Sequence, residues 1–85
     1  EVIYTPGHSA GSVCFYNSVN NLLFSGDTLF AGSIGRTDLP GGDYDAIMNS
    51  IKSKLFALPN ETKVYCGHGI ATTIGYEKKS NPFLQ

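Results

Sequence analysis

The sequence contains only two cysteines and six basic residues, and it has no apolar run long enough to cross a bilayer. Each shortage excludes a class of function. Cys14 and Cys66 are too few for the disulfide framework of a small secreted domain, and each lies in an apolar run where a free thiol behaves as a small hydrophobe. A reduced, cytoplasmic setting is therefore expected. The formal charge is −1 and the one adjacent basic pair is Lys78-Lys79, which leaves no electrostatic footprint for nucleic acid or an anionic membrane. No stretch reaches the ~20 apolar residues of a membrane span, and the first residues carry no basic-plus-apolar leader pattern. Repeats and low-complexity tracts are absent too. What is present, 41% hydrophobic and 15% charged residues over 85 positions, is the balance of one globular domain. A chain this short buries only ~60% of its extended surface, so one core is marginal without a metal or a partner.

Residue patterning predicts an α+β order. Val2 and Tyr4 alternate with Ile3 in a strand over 1–5 that stops at Pro6-Gly7. Strands over 12–16 and 21–25 flank an asparagine-rich turn and read as a hairpin. Residues 28–42 hold several glycines and a proline with no sustained period, an irregular loop of a length that compact domains keep for function. Asp43 is a suitable N-cap for a helix over 44–58, where Ile47, Met48, Ile51, Leu55 and Phe56 fall on one stripe. A strand over 63–66 and a short surface helix over 72–79, stopped by Asn81-Pro82, complete the order.

The only two histidines and one aspartate each follow a strand-like run and a glycine: Thr5-Pro-Gly-His8, Phe24-Ser-Gly-Asp27 and Tyr65-Cys-Gly-His68. Any one alone reads as a turn or cap residue. Together, projecting from three strand ends, two imidazoles and a carboxylate are the donor types that zinc or iron accepts. A structural Cys₂His₂ site from Cys14, Cys66, His8 and His68 is disfavoured, because only Cys66 and His68 have the close spacing of a knuckle; Cys66 shares a strand face with Val64 and is expected in the core. In the loop Gly35-Arg-Thr-Asp-Leu-Pro-Gly-Gly-Asp43, Arg36 is expected to hold Asp27 or to pin the loop through Asp38, in preference to touching substrate. Tyr44 and Tyr76 are pocket-lining or half-buried packing residues.

Four segments carry a family resemblance: Thr5-Pro-Gly-His-Ser-Ala-Gly-Ser12, Phe24-Ser-Gly-Asp-Thr-Leu-Phe30, Gly35-Arg-Thr-Asp-Leu-Pro-Gly-Gly42 and Cys66-Gly-His-Gly69, closed by Asn81-Pro-Phe-Leu84. In order and spacing, over nearly all of residues 1–85, they resemble the carboxyl-terminal half of a metallo-β-lactamase-fold hydrolase of the hydroxyacylglutathione hydrolase (glyoxalase II) group. The resemblance implies half of an αββα sandwich, a β-hairpin sheet with two helices. It implies two metals, usually zinc with iron or manganese as alternatives, with His8 on one metal, His68 on the other and Asp27 bridging both as the catalytic carboxylate. It further implies a small thioester or related ester as substrate, attacked by a metal-activated water. The family's His-x-His-x-Asp-His motif is absent, as no His-x-His occurs. The expected partner is therefore the amino-terminal half of the same protein, and the isolated chain is expected to be inactive. The family's longer members bind glutathione through a further helical domain, so specificity for glutathione is left open. One alternative of the same fold is a persulfide dioxygenase-like enzyme holding one iron, with His8 and Asp27 among its ligands. Another is a non-catalytic fragment that self-associates through an apolar sheet face drawn from Phe15, Leu22 and Phe24.

Overall fold

The computed structural model describes residues 1–85. Strands β1 (Val2–Tyr4), β2 (Val13–Asn17) and β3 (Leu22–Gly26) form an antiparallel meander. After a small separate hairpin, β4 (Leu29–Phe30) and β5 (Ser33–Ile34), the chain enters helix α1 (Tyr44–Asn49). It then adds β6 (Lys63–Cys66) parallel to β3, β7 (Thr72–Thr73) antiparallel to β6, and helix α2 (Ile74–Ser80). The sheet order is β1-β2-β3-β6-β7. Because β1 and β3 both oppose β2 while β6 parallels β3, strands β1, β3 and β6 run the same way. Their carboxyl ends share one edge.

Side chains alternate across the sheet, and the register sorts them into two faces. Cys14, Leu23 and Val64 are fully buried on the helix-covered face, where Ile3 and Tyr16 pack beside them. On the opposite face Val2, Phe15, Phe24 and Tyr65 align across four strands, 41–53% exposed, with the Phe24 and Tyr65 rings stacked at 5.8 Å. Phe15 and Phe24 thus occupy the open face expected of them. Leu22 is only half-exposed.

Asp43 caps α1, its Oδ1 accepting from the Ala46 N–H at 3.0 Å. The expected helix continues past Asn49 in altered form, as a wider π-helical turn over Ser50–Lys54 and a tight 3₁₀ turn over Leu55–Ala57. The sequence explains the widening. Ile47, Ile51 and Leu55 are spaced by fours, which drift ~40° per step on an ordinary helix, and a wider turn brings all three onto the core, where they are fully buried. Each such side chain contributes about 1.5–3 kcal/mol by leaving water.

Two expectations need correction. The region 28–42 is not wholly irregular, since Leu29 pairs with Ile34 and Phe30 with Ser33 around a tight Ala31-Gly32 turn, and burial of Leu29 anchors the hairpin. Nor is 72–79 a surface helix. Its first two residues form β7, Thr73 caps α2 by accepting from the Tyr76 N–H, and both Ile74 and Glu77 are fully buried. Glu77 lies on the inner face beside Ile74, and its carboxylate accepts from the Gly32 N–H, the Thr72 hydroxyl and the Asn81 amide.

Candidate metal centre

The shared carboxyl edge of β1, β3 and β6 delivers His8, Asp27 and His68 into one cleft. Each turn is tied down by backbone. Ahead of His8, Gly7 has φ +149°, and a Cβ there would meet Ile47 at 2.2 Å, so the turn sits directly on α1. The Asp43 N–H donates to the Gly7 carbonyl at 2.7 Å and the Ser50 hydroxyl to that of Pro6 at 2.9 Å. The Asp27 turn is linked to the His8 turn by a Thr5–Thr28 hydroxyl pair at 3.2 Å. It is linked to the His68 turn by the Gly67 N–H, which donates to the Gly26 carbonyl at 2.8 Å.

The three side chains meet as two pairs. His8 Nε2 lies 3.7 Å from Asp27 Oδ2, and His68 Nε2 lies 3.5 Å from Asp27 Oδ1. No three His, Cys, Asp or Glu donors converge on a single point. His8 Nδ1 lies 2.9 Å from the Arg36 carbonyl. A carbonyl only accepts, so this nitrogen carries the proton and, in the neutral ring, Nε2 keeps its lone pair toward Asp27. His68 has no such anchor; its side chain is 81% exposed against 29% for His8. Phe30 lies along it, with ring centroids 6.1 Å apart and planes at 19°. His8, Asp27, His68, Phe30, Gly35 and Arg36 line a cleft of about 250 Å³. A Cβ on Gly35 would fall 1.8 Å from the Asp27 carbonyl oxygen, so only glycine lets the loop lie this close to the carboxylate's backbone.

Arg36 does not hold Asp27. Its guanidinium donates to Asp38 through Nε and Nη2, at 2.8 and 2.9 Å, and this hydrogen-bonded pair holds the Asp38 carboxyl down to about 2. That arrangement pins the loop and so fixes the Arg36 carbonyl that orients His8. Cys66 also departs from expectation, because it stands half-exposed at the strand end with its thiol donating to the Ile70 carbonyl at 3.3 Å. A bulge between Phe24 and Gly26 shifts the β3–β6 register there. Cys14 is the true core thiol, and burial pushes its pKa up. Tyr76 borders a second cleft beside Ile70, whereas Tyr44 is exposed and borders neither cleft. The residues that sequence reasoning missed are Phe30 and the Arg36 carbonyl. Phe30 follows the Asp27 turn by three positions, but a backbone acceptor leaves no trace in side-chain patterning.

Residues 1–68 match the model of the metallo-beta-lactamase superfamily. The chain belongs to that superfamily. It is 48% identical over 84 residues to the hydroxyacylglutathione hydrolase GloC of Haemophilus influenzae, a match covering 99% of this chain and 40% of that protein. Among solved structures, the BLEG-1 B3 metallo-beta-lactamase superposes with a TM-score of 0.96 at 55% identity, covering 99% of this chain and 40% of that one. The di-iron-bound form of TTHA1623 superposes with a TM-score of 0.95 at 52% identity, covering 99% and 42%. The α+β architecture expected of a metallo-β-lactamase-like half is the one observed. The chain spans about two-fifths of the length of these superfamily members.

Proposed function

We propose that His8, Asp27 and His68 are metal ligands of a hydrolase acting on a thioester or related ester, with Asp27 as the bridge between two metals. The observation that carries this reading is the division of Asp27, whose two oxygens each face the Nε2 of a different histidine. The donor set fits. Imidazole nitrogen and carboxylate oxygen suit zinc, iron or manganese, and His8 already has its metal-facing nitrogen free. Two metals, when bound, supply a water acidified to a pKa of about 7 and positive charge for the oxyanion of the attacked carbonyl. With one oxygen facing each histidine, Asp27 would be shared between the two metal positions and would orient that water. The Arg36 carbonyl holds the His8 ring, and Gly35 keeps the floor beside Asp27 open. The similarity to GloC supports the thioester class, and the di-iron form of TTHA1623 supports iron as an alternative to zinc.

The ligands not found among these residues belong, on this reading, to an amino-terminal half of the same protein, which packs on the open row of Val2, Phe15, Phe24 and Tyr65. Without it the 85-residue chain self-associates through that row, binds no tight metal pair and hydrolyses no thioester. Metal analysis and thioester assays on the protein with and without the upstream half test this. Two metals per protein with hydrolysis, both lost in Asp27→Ala, are expected. A single iron with no hydrolysis would favour the oxygen-chemistry reading, and full activity of the short chain would overturn the shared site.

A further inference from the structure

We infer that Glu77 is a positioning residue for the His68 side of the cleft, gripping both segments that flank that ring. Glu77 is fully buried on α2 and faces no cation. Its carboxylate is satisfied by neutral donors from three segments: the Gly32 N–H at 2.9 Å, the Thr72 hydroxyl at 2.5 Å and the Asn81 amide at 2.9 Å. Burying a carboxylate without a counter-charge is costly, and a contact needing packing alone would be met by an apolar side chain. A carboxylate here instead fixes direction, because each donor must point at it.

Those directions lead to the site. Gly32 is the tip of the β4–β5 hairpin, two residues beyond Phe30, and Phe30 is the aromatic ring stacked against His68. Thr72 ends the segment that begins at His68, so its bond to Glu77 sets the far end of that loop. Asn81 adds a second tie to the hairpin, its amide donating to the Ser33 carbonyl at 3.0 Å as well as to Glu77. His68 itself makes no hydrogen bond through either ring nitrogen beyond its 3.5 Å approach to Asp27. With so little holding the ring directly, its placement follows from the hairpin and the loop, and both are held by Glu77. The consequence for metal binding rests on His68 being a ligand; the positioning itself does not.

The test reads the two histidine rings by NMR in the metal-free chain and its Glu77→Ala, Glu77→Gln and Thr72→Val variants. Expected for Glu77→Ala are a shift of the His68 ring signals toward those of a free histidine, lost exchange protection of the Gly32 amide, and unmoved His8 signals. Glu77→Gln rescues most of this, since its carbonyl still accepts from Gly32 and Asn81 while its amide donates to the Thr72 oxygen. Unmoved His68 signals, or equal movement of both histidines, would overturn the proposal. If Glu77→Ala does not fold, Thr72→Val decides by the same signals, as it removes one donor and keeps the shape. Zinc uptake by the protein with its upstream half separates the two claims. A displaced His68 ring with unaltered uptake leaves the positioning standing and removes His68 from the ligand set.

Discussion

The two histidines occupy the same cleft under different constraints. His8 is 29% exposed, its Nδ1 is bonded to the Arg36 carbonyl, and its turn is clamped against the start of α1. His68 is 81% exposed, lacks a ring hydrogen bond, and meets only the Phe30 ring and, at 3.5 Å, Asp27. Fixing a free side chain on binding costs about 0.5–1.5 kcal/mol, and His8 has met that cost in the fold. One side of the cleft is thus preorganised by its own backbone, whereas the other depends on a hairpin held from a distance. Residue type alone therefore does not fix how ready a histidine is; the acceptor behind its ring does.

The largest predicted effect falls on the shared floor. Gly35→Ala would set a methyl group 1.8 Å from the Asp27 carbonyl and 3.3 Å from the His8 Cβ, and backbone cannot swing aside as a flexible side chain can. A loss of roughly 3 kcal/mol is expected, seen as a lower denaturant midpoint. An unchanged midpoint would show that the loop does not lie on Asp27. Next in size is the contrast between the histidines. His8→Ala removes the donor to the Arg36 carbonyl and should cost about 1 kcal/mol, while His68→Ala, breaking no hydrogen bond, should cost close to nothing. Equal losses on thermal melting would erase the asymmetry.

Most of the framework was legible because it follows from local rules. The Asp43 cap and the strand over 63–66 stand as the residue types imply, and the three Gly-preceded turns bring His8, Asp27 and His68 to one cleft. What escaped depends on contacts distant in sequence. Glycines and a proline made the region after Asp27 read as loop, yet burial of Leu29 and its pairing with Ile34 outweigh that punctuation. The stretch 72–79 read as a surface helix because it is polar as a whole, and only the contacts of Gly32 and Thr72 with Glu77 show why a carboxylate belongs inside. Of the two roles expected of Arg36, holding Asp27 or pinning the loop through Asp38, the structure has the second, because Asp38, two residues away, captures the guanidinium at much lower entropic cost.

That capture sets the smallest predicted effect. Asp38 is held to about 2, chiefly by hydrogen bonding to Arg36, against ~3.9 for an unconstrained aspartate. A lowered folded-state value means that the unfolded chain takes up the proton first as pH falls. The contribution is therefore fully present above about pH 4 and is lost as pH drops through about 2. Both side chains are exposed, so the gain in stability is slight and fades with added salt. Its local consequence is sharper. Asp38→Asn should free the guanidinium, loosen the Arg36 carbonyl and let the His8 ring signals broaden or move in NMR spectra at neutral pH, leaving those of His68 in place. Movement of His68 instead would mean that the loop serves the other side of the cleft, and would reverse the assignment of which histidine the fold prepares in advance.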